Sequence, residues 1–401
     1  MLPLLLATCL LVSSSSIQSV TSPQGEPPHL AKIDHVVLKA IDNGQISGAV
    51  VLVGQAGYIL FEKAYGHRCL EPQPKPMTLG TRFDLASLTK VVATTPAVLK
   101  LVQDGEIMLD DPVSKYLPDF GRRGKEIITV RQVLTHYSGL APFLHLKTKT
   151  PGATFAVIKK IYHSNLSAKP GTQFVYSDLG FILLGKLIEV VSGERLDQFV
   201  HNQVFAPLKM TKTEFNPIAN DHHNIAPTEK QPDGVFLQGQ VHDPLASIMG
   251  GVAGHAGLFS NAHDLSRYCR MLLNNGSLEK NSVLLPHMVQ QMVSPQSPPG
   301  KPDIRGFGWD IQSRYSSAKG AYFSPHSFGH TGFTGTSLWL DPAIQAYLIV
   351  LTSRLYPDGR GDVRDLRKKI ATIVGDALSP AEGHTPRAPD TAPRKQHRIS
   401  R

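Results

Sequence analysis

The chain is poor in cysteine: Cys9, Cys69 and Cys269 are all it has in 401 residues. With Cys9 in the leader, only Cys69 and Cys269 remain to pair in an oxidising compartment, and two buried free thiols fit equally well. No apolar run is long enough to span a bilayer with confidence. H-E-x-x-H and paired-cysteine spacings are absent, so nothing reads as a metal site. The histidines of Asp221-His222-His223, His242-Asp243 and His255 are read as ordering loops. A basic patch interleaved with aromatics is also missing, although the formal charge is +9. Part of that excess sits in the tail, where Arg387, Arg394, Lys395, Arg398 and Arg401 face only Glu382 and Asp390. Nucleic acid is therefore not expected as a partner. No internal repeat is visible.

What is present is the composition of a soluble globular chain, 41% hydrophobic and 18% charged. Residues 1–22 resemble a secretory signal, with an apolar core followed by small residues but no positive n-region. The short run before Cys9 and Thr8 just ahead of it argue against a lipoprotein. Residues 23–32 read as a linker and 379–401 as a disordered basic tail. Between them, 33–378 reads as one domain of α+β class. Strand patterns cluster near both ends: 49–66 around the turn Gln55-Ala56-Gly57, then 334–342 and 346–354. Helix patterns run from Ser87 to Gln103, over 127–140, over 181–193, from Asp264 as N-cap to Gly276, and over 362–378. Pro96 should kink the first of these or remove one hydrogen bond. The economical architecture is an antiparallel sheet built from both ends and flanked by helices. A mostly helical second lobe would occupy roughly 110–300. A cleft between the two is the default site.

Three S-x-x-K matches occur. Ser277–Lys280 and Ser316–Lys319 lie in polar, turn-like context. Ser87–Lys90, in FDLASLTKVV, opens an apolar helix pattern, where positions three apart share a face. A serine hydroxyl is a weak nucleophile until a neighbour takes its proton. Taken alone, Ser87 is an N-cap, Lys90 a surface lysine and Tyr176 a packed aromatic.

Two further motifs follow in order: Tyr176-Ser177-Asp178 before an apolar helix, and His330-Thr331-Gly332 opening a strand. With DLASLTK they resemble the serine β-lactamase and penicillin-binding-protein superfamily. The nearest branch is the class C β-lactamase-like hydrolases, which include D-alanyl-D-alanine carboxypeptidases and esterases. ITVRQVLTHYSGL, PGTQFVYSDLGFILLG and GGVAGHAGLFSNAHDL support the likeness, which runs from about Ile33 to Ile373.

The resemblance implies a β-lactamase/transpeptidase-like fold and an acyl-enzyme on Ser87. Lys90 and Tyr176 would share the general base and acid roles. The backbone N–H groups of Ser87 and Phe333 would form the oxyanion hole. Asp178, His330, Thr331 and Gly332 would bind substrate, with no metal and no cofactor. The partners implied are small molecules or peptides, including peptidoglycan fragments, in a periplasmic or extracellular setting, with any membrane association peripheral. Two positions depart from the family pattern. Asp178 stands where Asn is usual, and an anion there keeps Lys90 protonated. His330 stands where many members have Lys, and an ordinary histidine changes charge near neutral pH. The alternative function is a catalytically silent module that grips peptidoglycan fragments in the same cleft.

Overall fold

Residues 49–53, Ala-Val-Val-Leu-Val, form an uninterrupted apolar run because both faces of their strand are covered. In the computed structural model, which describes residues 26–146 and 153–379, they lie within β1 (Gly48–Gln55). Val50 and Leu52 enter one core cluster, while Ala49, Val51 and Val53 enter another. This is the two-residue alternation of a strand buried on each side. β1 pairs with β2 (Tyr58–Cys69) across the expected turn, and with β13 (Ala346–Thr352) from the far end of the chain.

One antiparallel sheet of eight strands results. It runs from β3 (Lys75–Pro76) through β2, β1 and β13 to β12 (Ser337–Asp341), β11 (Phe328–Thr331), β10 (Asp310–Gln312) and β9 (Ile304–Arg305). A small sheet joins β4 (Phe83–Asp84) and β5 (Glu214–Phe215) through β6 (Leu258–Ser260). A hairpin links β7 (Ser277–Leu278) and β8 (Asn281–Ser282). One face of the large sheet is sealed by α1 (Lys32–Asp42) and the C-terminal α10 (Arg364–Leu378), through Ile33, Val37, Ile370 and Val374. The other face meets the larger core. That core is built on α2 (Thr95–Gln103), α3 (Val130–Leu134), α4 (Thr154–His163), α5 (Asp178–Ser192), α6 (Leu196–Val200), α7 (Pro244–Ile248), α8 (Ala262–Leu273) and α9 (Pro286–Val293).

Several local expectations need correction. Ser87 to Gln103 is not one α-helix. A 3₁₀ turn at Ala86–Leu88 leads into a π-helical turn at Lys90–Thr94, and α2 starts only at Thr95. Pro96 therefore falls in the first turn of α2, where its missing N–H costs nothing. An α-helix continuing backwards would have left the Val92 carbonyl without its donor; the wider turn instead takes the Thr95 N–H to the Lys90 carbonyl. The helix expected over 127–140 lasts only for α3. Thr129 and Gln132 form its capping box, and His136, at φ 61, turns the chain out of helical geometry. α8 is capped by Asn261 rather than Asp264. The Asp264 carboxylate is committed elsewhere, to the Lys212 N–H and the Thr213 hydroxyl.

Ordered structure starts ahead of residue 33: Pro28–Ala31 form a 3₁₀ turn, and Leu30 is fully buried. The leader, Cys9 and the tail beyond Ser379 lie outside the described residues. Cys69 and Cys269 are both buried free thiols.

Candidate active site

Ser87 sits half-buried on the 3₁₀ turn, immediately after Ala86 at φ 46. A left-handed alanine is costly and needs bracing. Asp84 supplies the brace. Its buried carboxylate accepts the Ala86 N–H at 2.8 Å and the His242 N–H at 2.7 Å. Burial pushes the Asp84 carboxyl above its ordinary pKa even so.

Lys90 is completely buried beneath the serine. Its Nζ lies 3.0 Å from Ser87 Oγ, 3.1 Å from the His255 carbonyl oxygen and 2.8 Å from Asp178 Oδ1. Two of these are hydrogen bonds, to Ser87 Oγ and the His255 carbonyl, and the contact with Asp178 is an ion pair. Burial alone would lower the lysine pKa, but the charge of Asp178, and then Tyr176, outweigh it and hold it above the ordinary value. Lys90 is thus a cation in the resting site. The anion expected at Asp178 has the effect its position suggested.

Tyr176 and Asp178 flank Ser177, the N-cap of α5. The Ser177 hydroxyl accepts the Gly180 N–H and donates to the Ala141 carbonyl, while its own N–H donates to His136 Nδ1 at 3.0 Å. These bonds fix the residues on either side. The Tyr176 ring centroid is 5.1 Å from Lys90 Nζ and 4.4 Å from the His136 ring. Tyr315 and His330 close in on it at 5.7 and 5.9 Å.

His330, on β11, corrects an expectation. Its ring is buried, with Nδ1 3.0 Å from the Thr331 carbonyl oxygen. Burial, then the charges of Arg305 and Lys90, push its pKa well below the ordinary histidine value. It stays neutral through physiological pH instead of switching there.

The turn after β11 is bound to the segment ahead of the serine. Thr334 and Thr336 donate their hydroxyls to the carbonyls of Asp84 and Leu85. Gly332 fits because a side chain would come within 2.5 Å of the Leu85 carbonyl oxygen. Arg367 of α10, itself buried, donates to the Gly332 and Thr336 carbonyls at 2.8 and 2.7 Å. Phe333 then projects 42% exposed, its ring stacked on His242 at 5.7 Å.

All the residues singled out from the three motifs gather here. Asp84, His136, His255 and Arg367 were not among them. His136 and His255 lie inside THYSGL and GGVAGHAGL, so phrases quoted for the fold also held parts of the site. As expected, the His255 ring is spent on a loop contact, 2.8 Å from Asp243. Its carbonyl, however, receives Lys90. His255-Ala256-Gly257 leads directly into β6. Among the described residues, no group of His, Cys, Asp and Glu is arranged to hold a metal. The two other S-x-x-K pairs lie elsewhere. Ser316 donates to Asp310 and Lys319 to the Ile311 carbonyl, while Ser277 lies in the β7–β8 hairpin.

The Beta-lactamase family model matches residues 33–372. The chain belongs to the β-lactamase family. That makes it a serine hydrolase of β-lactamase-like type. An Escherichia coli K12 protein named D-alanyl-D-alanine carboxypeptidase is 32% identical over 364 residues, covering 81% of this chain and 82% of that one. The N-acetylmuramyl-L-alanine amidase of Bacillus subtilis 168 is 33% identical over 362 residues, covering 81% of each. A penicillin-binding protein homologue from Caulobacter crescentus superposes with a TM-score of 0.71 at 19% identity, over 88% of this chain and 99% of that one. This last likeness speaks for the fold alone.

Proposed function

We propose that this β-lactamase-family chain cleaves acyl bonds through a covalent intermediate on Ser87. Its substrates are D-amino-acid peptides of cell-wall type and small esters, with β-lactams as slow substrates. The observation that carries the reading is the buried Lys90 ammonium 3.0 Å from Ser87 Oγ. An ammonium cannot itself accept a proton, so the serine proton passes to Tyr176 acting as a phenolate. The Lys90 cation beside the ring stabilises that phenolate oxygen, and the Tyr176–Lys90 pair later returns the proton to the leaving group. Ser87 Oγ bonds to the acyl carbon, the leaving group departs with the proton, and water cleaves the ester that remains. The N–H groups of Ser87 and Phe333 hold the oxyanion. The bonds from Thr334 and Thr336 to residues 84 and 85 support that role, because they tie the two donors' segments together. Asp178, His330, Thr331 and Gly332 line the substrate side. The signal-like leader supports export, where peptidoglycan fragments would be met.

Intact-mass analysis after incubation with D-Ala-D-Ala peptides, p-nitrophenyl esters and β-lactams tests this. An acyl adduct should form on the native chain and be absent in Ser87→Ala. Tight binding of peptidoglycan fragments with no adduct from any of the three classes would replace the enzyme reading with that of a silent binding module.

A further inference from the structure

Two side chains at the substrate side of the site differ in charge from the family pattern, and both differ in the same direction. Asp178 brings a negative charge where Asn is usual, and His330 is neutral where many members carry the lysine cation. The consequence at Asp178 is chemical as well as electrostatic. An asparagine amide donates and accepts; an ionised carboxylate only accepts. Asp178 Oδ1 is shut from solvent 2.8 Å from Lys90 Nζ, while 26% of the side chain stays open to solvent. Its place in the first turn of α5 suits an anion.

The arginines around the site each have partners within the protein. Arg305 lies 3.3 Å from Asp310 and donates to the Gly308 carbonyl. Arg314 pairs with Asp303 at 2.9 Å. Arg367 holds the Gly332 and Thr336 carbonyls. Arg354 lies 4.1 Å over the Phe333 ring and donates to the Phe333 and Gly361 carbonyls.

Resting on the acyl-enzyme reading above, we infer that the site selects acyl donors that present an N–H or ammonium group to Asp178 and whose leaving portion carries no carboxylate. A substrate carbonyl or ether placed against Asp178 meets a second acceptor, and neither is satisfied. A carboxylate on the leaving side meets no lysine. The preferred substrates are thus amides and esters of amino acids or peptides with blocked or extended C-termini, ahead of peptides ending in a free D-alanine.

The test uses p-nitroanilides of D-alanine, N-acetyl-D-alanine and (R)-2-methoxypropionic acid, together with the pair N-acetyl-D-alanyl-D-alanine and its C-terminal amide. Leaving a buried or half-buried acceptor unpaired costs roughly tenfold or more in kcat/KM. The two N–H-bearing anilides should therefore exceed the methoxy compound by at least about tenfold, and the terminal amide should react at least as fast as the free acid. In Asp178→Asn the ratio between N–H and methoxy acyl groups should collapse, whatever the overall rate. If no anilide turns over, the same ordering is read as protection of Ser87 from a neutral fluorophosphonate. An unchanged ratio in Asp178→Asn overturns the inference. So does a tenfold preference for the free acid that disappears in Arg354→Gln, which would make Arg354 the missing cation. Fluorophosphonate labelling of the native chain separates the two levels. Labelling with flat ratios defeats this inference alone, and no labelling defeats the acyl-enzyme reading beneath it.

Discussion

Two histidines beside Tyr176 should make the protein acid-sensitive in a measurable way. His136 and His330 are buried, and for each burial, then the Arg305 and Lys90 charges, push the pKa well below the ordinary value. In the unfolded chain both titrate near 6.5. Below that pH the unfolded state binds protons that the folded state refuses, so stability is present above about pH 6.5 and falls as pH drops through it. For a histidine that stays neutral when folded, linkage gives a loss of at most about 1.4 kcal/mol between pH 7.5 and 5.5, and about 2.7 kcal/mol for the two. His263 works in the opposite sense. Its contact with Glu62 raises its pKa, and that contribution is present at low pH and fades as pH rises through the folded value. The difference between variants isolates the site histidine. Urea unfolding of the native chain and of His330→Gln at both pH values should show the variant losing about 1.4 kcal/mol less on acidification, whatever its stability at pH 7.5. Equal losses in the two proteins would refute the assignment of His330 as neutral in the fold.

Ser87→Ala should abolish covalent labelling while the chain stays folded. Ser316→Ala should label normally but lose about 1 kcal/mol of stability with its buried hydroxyl bond to Asp310, as read from labelling and urea melts. Gly332→Ala should push the turn after β11 off the Leu85 carbonyl, slowing acylation at least about tenfold by stopped flow; an unchanged rate would show that this contact does not set the oxyanion geometry. Asp84→Asn leaves one acceptor oxygen for two backbone N–H groups, so about 1–3 kcal/mol of stability should go, with slower labelling of Ser87. A variant that melts and labels like the native chain would rule out Asp84 as the brace of the nucleophile turn.

The order of the three motifs and the strand patterns at both ends were legible because they are local. The strand pattern at 49–66 and the helix stop at Gly193, which is in left-handed geometry, could be read from neighbouring residues alone. The extent of the helix at Ser87 was not legible. Its irregular turns are held by Thr94 on the Gly254 carbonyl and by Tyr268 on the Val91 carbonyl, partners 160 and 177 residues away. Propensity within a window has no access to such partners. The same holds for α8, where Asn261 took the cap because Asp264 was needed by Lys212 and Thr213.

By itself, then, the sequence determined which residue types stand in which order: a serine with a lysine three places on, a tyrosine flanking an acid, and a histidine opening a strand. It also determined that an acid near Lys90 would favour the ammonium. Only the tertiary structure decided the rest. It brought the His255 carbonyl, 165 residues away, onto the Lys90 ammonium, and anchored Arg367 of the last helix to the turn carrying Phe333. It also sealed His330 among cations, so that the one residue expected to change charge near neutral pH does not. The reason is physical. A protonation state is set by the solvent and charges that surround a group in space, and those neighbours are chosen by the packing of distant segments.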